Sequence, residues 1–236
     1  MELQVKDGSF HSAVQQAKRL LEQRRVLAVM GDRLTLCSFA LASPIKGSLV
    51  GAATTEDEGV SLAQNIRPDL LICSADLETG YGLNLLRRVK KVVPTCQTLI
   101  VLVRETQENV QEALEACADG VIFKSTLGTG HGDLISALQT IAQGGVYYPE
   151  PIRRLAAPES PRADLPELIE ALTPRELEVV GAVARGLKNN AIAEYLGISL
   201  ETVKTHVGNA MDKLAARDRT QMAVTALLYG LIDPLD

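Results

Sequence analysis

The sequence predicts a two-domain chain: an α/β domain built on a doubly wound, five-stranded parallel sheet, then a smaller all-α domain of four helices. Three observations carry that prediction. Short apolar runs alternate five times with helical patterns between Arg25 and Pro149, and βα units of this size imply a parallel sheet covered on both faces. After a proline-rich break, Leu172 to Ile232 shows four helical segments and no strand pattern. A chain of 236 residues can hold two ordinary cores, and 46% hydrophobic residues with 3% aromatics and no Trp make those cores aliphatic.

Residues 1–24 read as an additional amphipathic helix. Asp7-Gly8-Ser9 can start it, and Phe10, Val14, Ala17, Leu20 and Leu21 share one face, to pack on the α/β domain or to form a dimer contact. The α/β domain follows over residues 25–150. Its strands are expected at Val26–Met30, Leu49–Ala53, Leu70–Cys73, Thr98–Val103 and Val121–Phe123. Its helices are expected at Leu34–Ala42, Glu56–Asn65, Leu83–Val92, Glu108–Ala116 and Asp133–Gln143. In such a fold the functional crevice lies at the carboxyl ends of the strands, here after Met30, Cys73, Val103 and Phe123. Residues 151–168 read as an exposed linker, because Arg153 to Pro166 (RRLAAPESPRADLP) holds three prolines and little apolar periodicity. Leu165–Leu172 suggests a short leading helix to the last domain, 169–236.

In that domain Thr173, Pro174 and Glu176 supply an N-cap, a first-turn proline and an acid at the third position. Leu177, Val180, Val183 and Ala184 recur at helical spacing, and Gly186 can end the helix. Ala191–Leu196 is a short second helix stopped by Gly197. Ser199 caps a third, with Glu201 and Thr202 in its first turn. Helix, turn and helix stand at the spacing of a DNA-reading module.

The third helix carries the expected chemistry. Val203, Val207, Ala210, Met211 and Leu214 form one stripe toward the core. The opposite face presents Glu201, Thr205, Gly208, Asn209 and Asp212, flanked by Lys204 on one side and by Thr202, His206 and Lys213 on the other. Short hydroxyl and amide groups suit base edges, while lysines suit phosphates. With Lys188 and Asn189 from the preceding turn, these residues form the candidate interface for double-stranded DNA. The plainer reading is a solvated helix face. Gly208 costs about 1 kcal/mol inside a helix, to be justified by close approach to DNA or by a helix crossing.

LTPRELEV, the GL-x-N-x-x-IA-x-x-L-x-IS block, ETVKTHV and RDRTQ resemble the LuxR-type helix-turn-helix of NarL/FixJ-family response regulators, over roughly 60 residues without a gap. The resemblance implies a bacterial transcription regulator whose TVKTH helix enters the major groove. It also implies a homodimer, with the last helix supplying Thr220, Val224, Leu227 and Leu228 as the contact. Asn190 and Asp212 stand where the family usually has basic residues. The chain is acidic overall, with 24 Lys and Arg against 29 Asp and Glu, and residues 165–236 hold 7 basic against 10 acidic side chains. Only the strip with Lys188, Lys204, Lys213, Arg217 and Arg219 is locally positive. Site-restricted binding is therefore expected rather than general coating of nucleic acid.

The front of the chain is similar to a receiver domain, a flavodoxin-like fold. RPDLLICSADLETGYGLNLLRRVK matches its third strand and loop, EALEACADGVIFK its fourth helix and fifth strand, and GGVYYP its closing segment. Receivers hold two acids, a phosphorylatable Asp, a hydroxyl and a Lys, which together bind Mg²⁺ and the phosphoryl oxygens. Here the acid pair falls on Met30 and Gly31, with Asp32 one residue beyond. The nucleophile position is Ser74, the hydroxyl position is Leu102 or Val103, and only Lys124 survives. Val121 replaces the reporting aromatic. The expectation is a pseudo-receiver with a degenerate pocket of Asp32, Ser74 and Lys124, no metal and no cofactor, regulated independently of Asp phosphorylation and without catalysis of its own.

Several alternatives stand beside it. Asp76 takes the phosphoryl group with Asp32 as a metal ligand; Cys73 senses redox state; a small molecule fills the emptied crevice; or the chain is a protein-interaction adaptor with weak DNA binding. A regulatory protein docking on the receiver is a further partner to consider. The four cysteines (Cys37, Cys73, Cys96, Cys117) lack metal-ligand spacing and read as buried thiols. With no long apolar run and no leader, a soluble cytoplasmic protein without membrane contact is expected.

Overall fold

The computed structural model describes residues 8–41, 44–127, 133–156 and 170–232. The chain divides into two compact units, Met1–Glu105 with Ala118–Gln143, and Thr106–Cys117 with Gly144–Asp236.

The first unit carries five strands: β1 (Val26–Val29), β2 (Leu49–Ala53), β3 (Leu70–Ser74), β4 (Gln97–Leu102) and β5 (Gly120–Phe123). They form one sheet in the order β2-β1-β3-β4-β5, with every pairing parallel. β1, β3 and β5 are buried throughout, as strands covered on both faces must be. β2, at the edge, keeps Val50 and Ala52 exposed. Its helices are α1 (Gly8–Leu21), α2 (Arg33–Leu41), α3 (Glu56–Ile66), α4 (Gly82–Val92) and α6 (Asp133–Ala142). All five expected strands are present, with ends within one residue of the expected positions.

The leading helix packs on this unit. α1 lies against α6 with Ala17 and Leu21 buried, and Val14 and Leu20 half-buried; the Phe10 side chain lies outside the described residues. Just beyond it, Arg24 reaches Gln97 and donates to the Ala142 carbonyl at 2.6 Å. A second lock sits where β4 and β5 begin. Asp119 accepts from the Thr98 amide (2.8 Å), the Thr98 hydroxyl (2.9 Å) and Lys90 (3.0 Å), so its buried carboxylate is paired rather than stranded.

The second unit contains α5 (Gln107–Glu115), α7 (Glu150–Ala156), α8 (Pro174–Ala184), α9 (Asn189–Leu196), α10 (Leu200–Lys213) and α11 (Arg219–Leu228). One boundary expected from sequence is corrected here. α5, inside the expected 25–150 domain, packs on α7. The expected linker, 151–168, begins inside α7, whose Ile152 and Ala156 are buried. Two apolar side chains one turn apart sufficed for a helix that the prolines downstream obscured. Residues 157–169 lie outside the described residues, so the leading helix expected at Leu165–Leu172 is testable only at 170–172, which are not helical.

Capping explains the ends of the four C-terminal helices. Thr173 and Glu176 form a reciprocal capping box with Pro174 in the first turn. Ser199 accepts from the Thr202 amide at 3.0 Å, and Asp218 from the Gln221 amide at 2.8 Å. Gly197 ends α9 with φ of 63°, the left-handed conformation that glycine adopts without steric cost.

Candidate nucleic-acid interface and degenerate crevice

α10 is anchored by Val203, Ala210 and Leu214, which are buried; Val207 and Met211, expected on the same core stripe, are only half-buried. That orientation leaves Thr202, Lys204, Thr205 and Asn209 exposed and His206 half-buried. Thr205 donates its hydroxyl back to the Glu201 carbonyl at 3.0 Å, which leaves its lone pairs outward. Thr202 shares a hydroxyl–hydroxyl bond of 2.8 Å with Ser199. Lys204 pairs loosely with Glu201 at 3.1 Å on an open surface, an interaction easily exchanged for a phosphate. A Cβ at Gly208 would meet nothing within 4 Å, so no helix crossing demands this glycine.

Four placements differ from those the helix faces suggest. Lys213 does not face outward: its ammonium lies 3.0 Å from Glu176 and 3.1 Å from Glu170, with its side chain 15% exposed. The hydrogen bonds to Glu176 and then Glu170 raise its pKa above the ordinary lysine value. Burial alone would raise the Glu176 carboxyl, yet the Thr173 amide and Lys213 outweigh it and hold the group below its usual range. Asn189 is half-buried and its carbonyl oxygen accepts from Arg219 at 2.9 Å, so it serves the fold first. Arg219, counted in the positive strip, also donates to the Leu187 carbonyl. Burial pulls its guanidinium down to about 10. Lys188 and Arg217 remain exposed. Finally Thr220, Val224, Leu227 and Leu228, expected to meet a second copy, are all buried among the helices of this unit.

Arg219 was the residue whose role sequence reasoning missed. Its position in RDRTQ signals only a basic residue near a cap. The α8–α9 turn that it clasps is some 30 residues away, and such a partner becomes visible only in three dimensions.

In the first unit, one crevice at the carboxyl end of the sheet gathers Asp32, Ser74 and Lys124, with Asp76 on the same lining. Asp76 is thus closer to the crevice than its two-residue offset from Ser74 suggests. The loop that carries it is firmly tied: the Glu78 amide donates to the Thr54 carbonyl (3.0 Å) and the Glu56 amide to the Thr79 carbonyl (2.9 Å). Gly82 lies so close to the Ser74 carbonyl that a Cβ would come within 1.9 Å of it. A Cβ at Gly31 would come within 2.6 Å of the Asp76 carbonyl, so a second acid cannot be built there without moving the loop.

The remaining acids are committed elsewhere. Asp32 is exposed and caps α2, accepting the Thr35 amide and hydroxyl at 2.7 Å each. Those two bonds, the hydroxyl's first, lower its pKa, with a smaller contribution from the Lys124 charge. Asp76 pairs with Arg104 at 3.1 Å. Mg²⁺ demands six oxygens in near-octahedral array, whereas Met30 is buried at the first acid position and Gly31 is sealed. Among the described residues no three His, Cys, Asp or Glu side chains gather to hold a metal. The residues present do not fit the cation.

Cys73 is buried beside the crevice, and burial pushes its thiol far above the usual range; Cys96 is pushed up to about 12. Neither supplies the thiolate that redox sensing requires.

Residues 34–139 match the family model of the response regulator receiver domain, and residues 170–226 that of bacterial regulatory proteins of the luxR family. The response regulator protein VraR of Staphylococcus aureus (strain Mu3 / ATCC 700698) is 32% identical over 185 residues, spanning 78% of this chain and 86% of its own. This chain belongs to the LuxR-type response regulators. VraR from strain NCTC 8325 / PS 47 is 31% identical over the same span. Among solved structures, that of two RcsB dimers bound to two parallel DNAs is similar with a TM-score of 0.51 at 19% identity, covering 86% of this chain and 99% of that one. That likeness supports the fold. Among the described residues no helix is long and apolar enough to cross a membrane.

Proposed function

We propose that this response regulator binds a specific duplex site as a homodimer through α10, and that its output does not depend on Asp phosphorylation. The observation that carries the second half is the altered crevice: Ser74 at the nucleophile position and an Asp76 carbonyl occupying the space of a side chain at Gly31. A serine hydroxyl cannot form an acyl phosphate, and Met30 and Gly31 at the acid positions supply no carboxylate to hold the Mg²⁺ that would neutralise the phosphoryl charge. The first half rests on Thr202, Lys204, Thr205 and Asn209 standing exposed on one helix whose core face is anchored.

Genome-wide mapping of bound DNA, followed by titration of the recovered duplex, tests this reading. Saturable binding that discriminates the site from scrambled duplex supports it; no binding at low salt favours the adaptor reading. The withdrawal of Lys213 and Arg219 into internal pairs is the observation on the adaptor's side.

A further inference from the structure

We infer that the crevice of the first unit is a binding site for a small, uncharged, largely apolar molecule carrying one hydroxyl or carbonyl group, which pairs with Ser74. The inference rests on the reading of this crevice as unable to take a phosphoryl group. The cavity measures about 220 Å³ and its walls include Met30, Phe39, Val101 and Leu127. Met30, Phe39 and Val101 are buried side chains whose apolar surface forms the cavity lining. The volume is about seven times the ~30 Å³ that a water occupies in the liquid, which suits a fragment-sized ligand rather than an ion.

Ser74 supplies the polar anchor. It is only 7% exposed, it lines the cavity, and its hydroxyl has no hydrogen-bond partner among the described residues. That hydroxyl opens into the crevice, and a ligand group that pairs with it gains one hydrogen bond in apolar surroundings. The charges at the rim are already matched. Asp76 is held by Arg104, and Lys124 stands opposite Asp32 in sign on the same lining. On the lining an anion would meet the Asp32 and Asp76 carboxylates and a cation would meet Lys124, so the charges present favour a neutral ligand.

The test uses the full chain labelled with ¹³C at the methionine methyls, titrated with benzyl alcohol and, separately, with toluene. Met30 lines the crevice, while Met211 and Met222 lie in the other unit and serve as internal controls. Benzyl alcohol should shift the Met30 resonance saturably, leave Met211 and Met222 unmoved, and bind about tenfold more tightly than toluene, the ratio that one satisfied hydrogen bond gives. Ser74→Ala should remove that difference while leaving toluene affinity unchanged. Absence of a saturable Met30 shift with either probe would overturn the site. Equal affinities unaffected by Ser74→Ala would overturn the anchor, and displacement of benzyl alcohol by inorganic phosphate would overturn the neutral class. Labelling of Asp76 by acetyl phosphate would instead overturn the underlying reading, whatever the alcohol does.

Discussion

Lys213 shows how a side chain on a suitable helix face can be committed elsewhere. The capping box that starts α8 buries Glu176, and a buried carboxylate needs a cation. Lys213, a whole helix-turn-helix away in sequence, supplies it at 3.0 Å. Lys213→Met should therefore lower the urea midpoint of unfolding and leave the salt dependence of duplex binding unchanged. A reduced salt slope would show that Lys213 reaches phosphate after all. Thr173→Ala, which removes the cap itself, should cost about 1 kcal/mol by the same unfolding assay. The pair also sets a pH window. The Glu176 carboxyl is held below its ordinary 4.5, so its contribution is complete above that value and fades as pH falls through the lower, folded value. The Lys213 ammonium is raised above 10.5, so its contribution is complete below 10.5 and fades as pH rises through the folded value. Unfolding curves across pH, with Lys213→Met as reference, check both edges.

At the scale of the helix, α10 separates positioning from reading. Gly208 has open space around it, and Gly208→Ala should raise the stability of the free protein by about 0.5–1 kcal/mol. The same change should weaken duplex binding, because close approach to DNA is the remaining reason for a glycine there; unchanged affinity would leave the glycine without a role. Lys204→Ala should weaken binding to all sequences and lower the salt slope by about one unit, whereas Thr205 and Asn209 substitutions should alter sequence preference. Most of this geometry was legible in the sequence, since apolar spacing and caps are local signals. Strand positions were legible for the same reason: βα alternation fixed all five within a residue. What was not legible depends on partners remote in the chain. The Arg219–Asn189 clasp, the Lys213–Glu176 pair and the burial of α11 all join residues that no periodicity links. α7 was hidden for a different reason, because a seven-residue helix beside three prolines leaves almost no period to read.

For the whole molecule, the electrostatics are spare. With Lys213 and Arg219 committed internally, Lys188, Lys204 and Arg217 are the exposed cations of the expected strip. Three phosphate contacts per module give a salt slope of about −2.7, and a dimer about −5. A monomer's electrostatic affinity is then small, so in the proposed homodimer the pairing of two modules would carry much of the binding, and the apolar face expected at that contact is buried within its own unit. The crevice at the sheet's carboxyl end keeps the shape of a phosphorylation switch and lacks its acids. Its loop is pinned to Thr54, just past β2, and to the start of α3, and a Cβ at Gly31 has no room. The most direct test is the affinity of the full chain for its mapped duplex, measured with and without acetyl phosphate and Mg²⁺. Identical binding curves are expected. A tightening of about tenfold or more that Asp76→Asn abolishes would contradict phosphorylation-independent output.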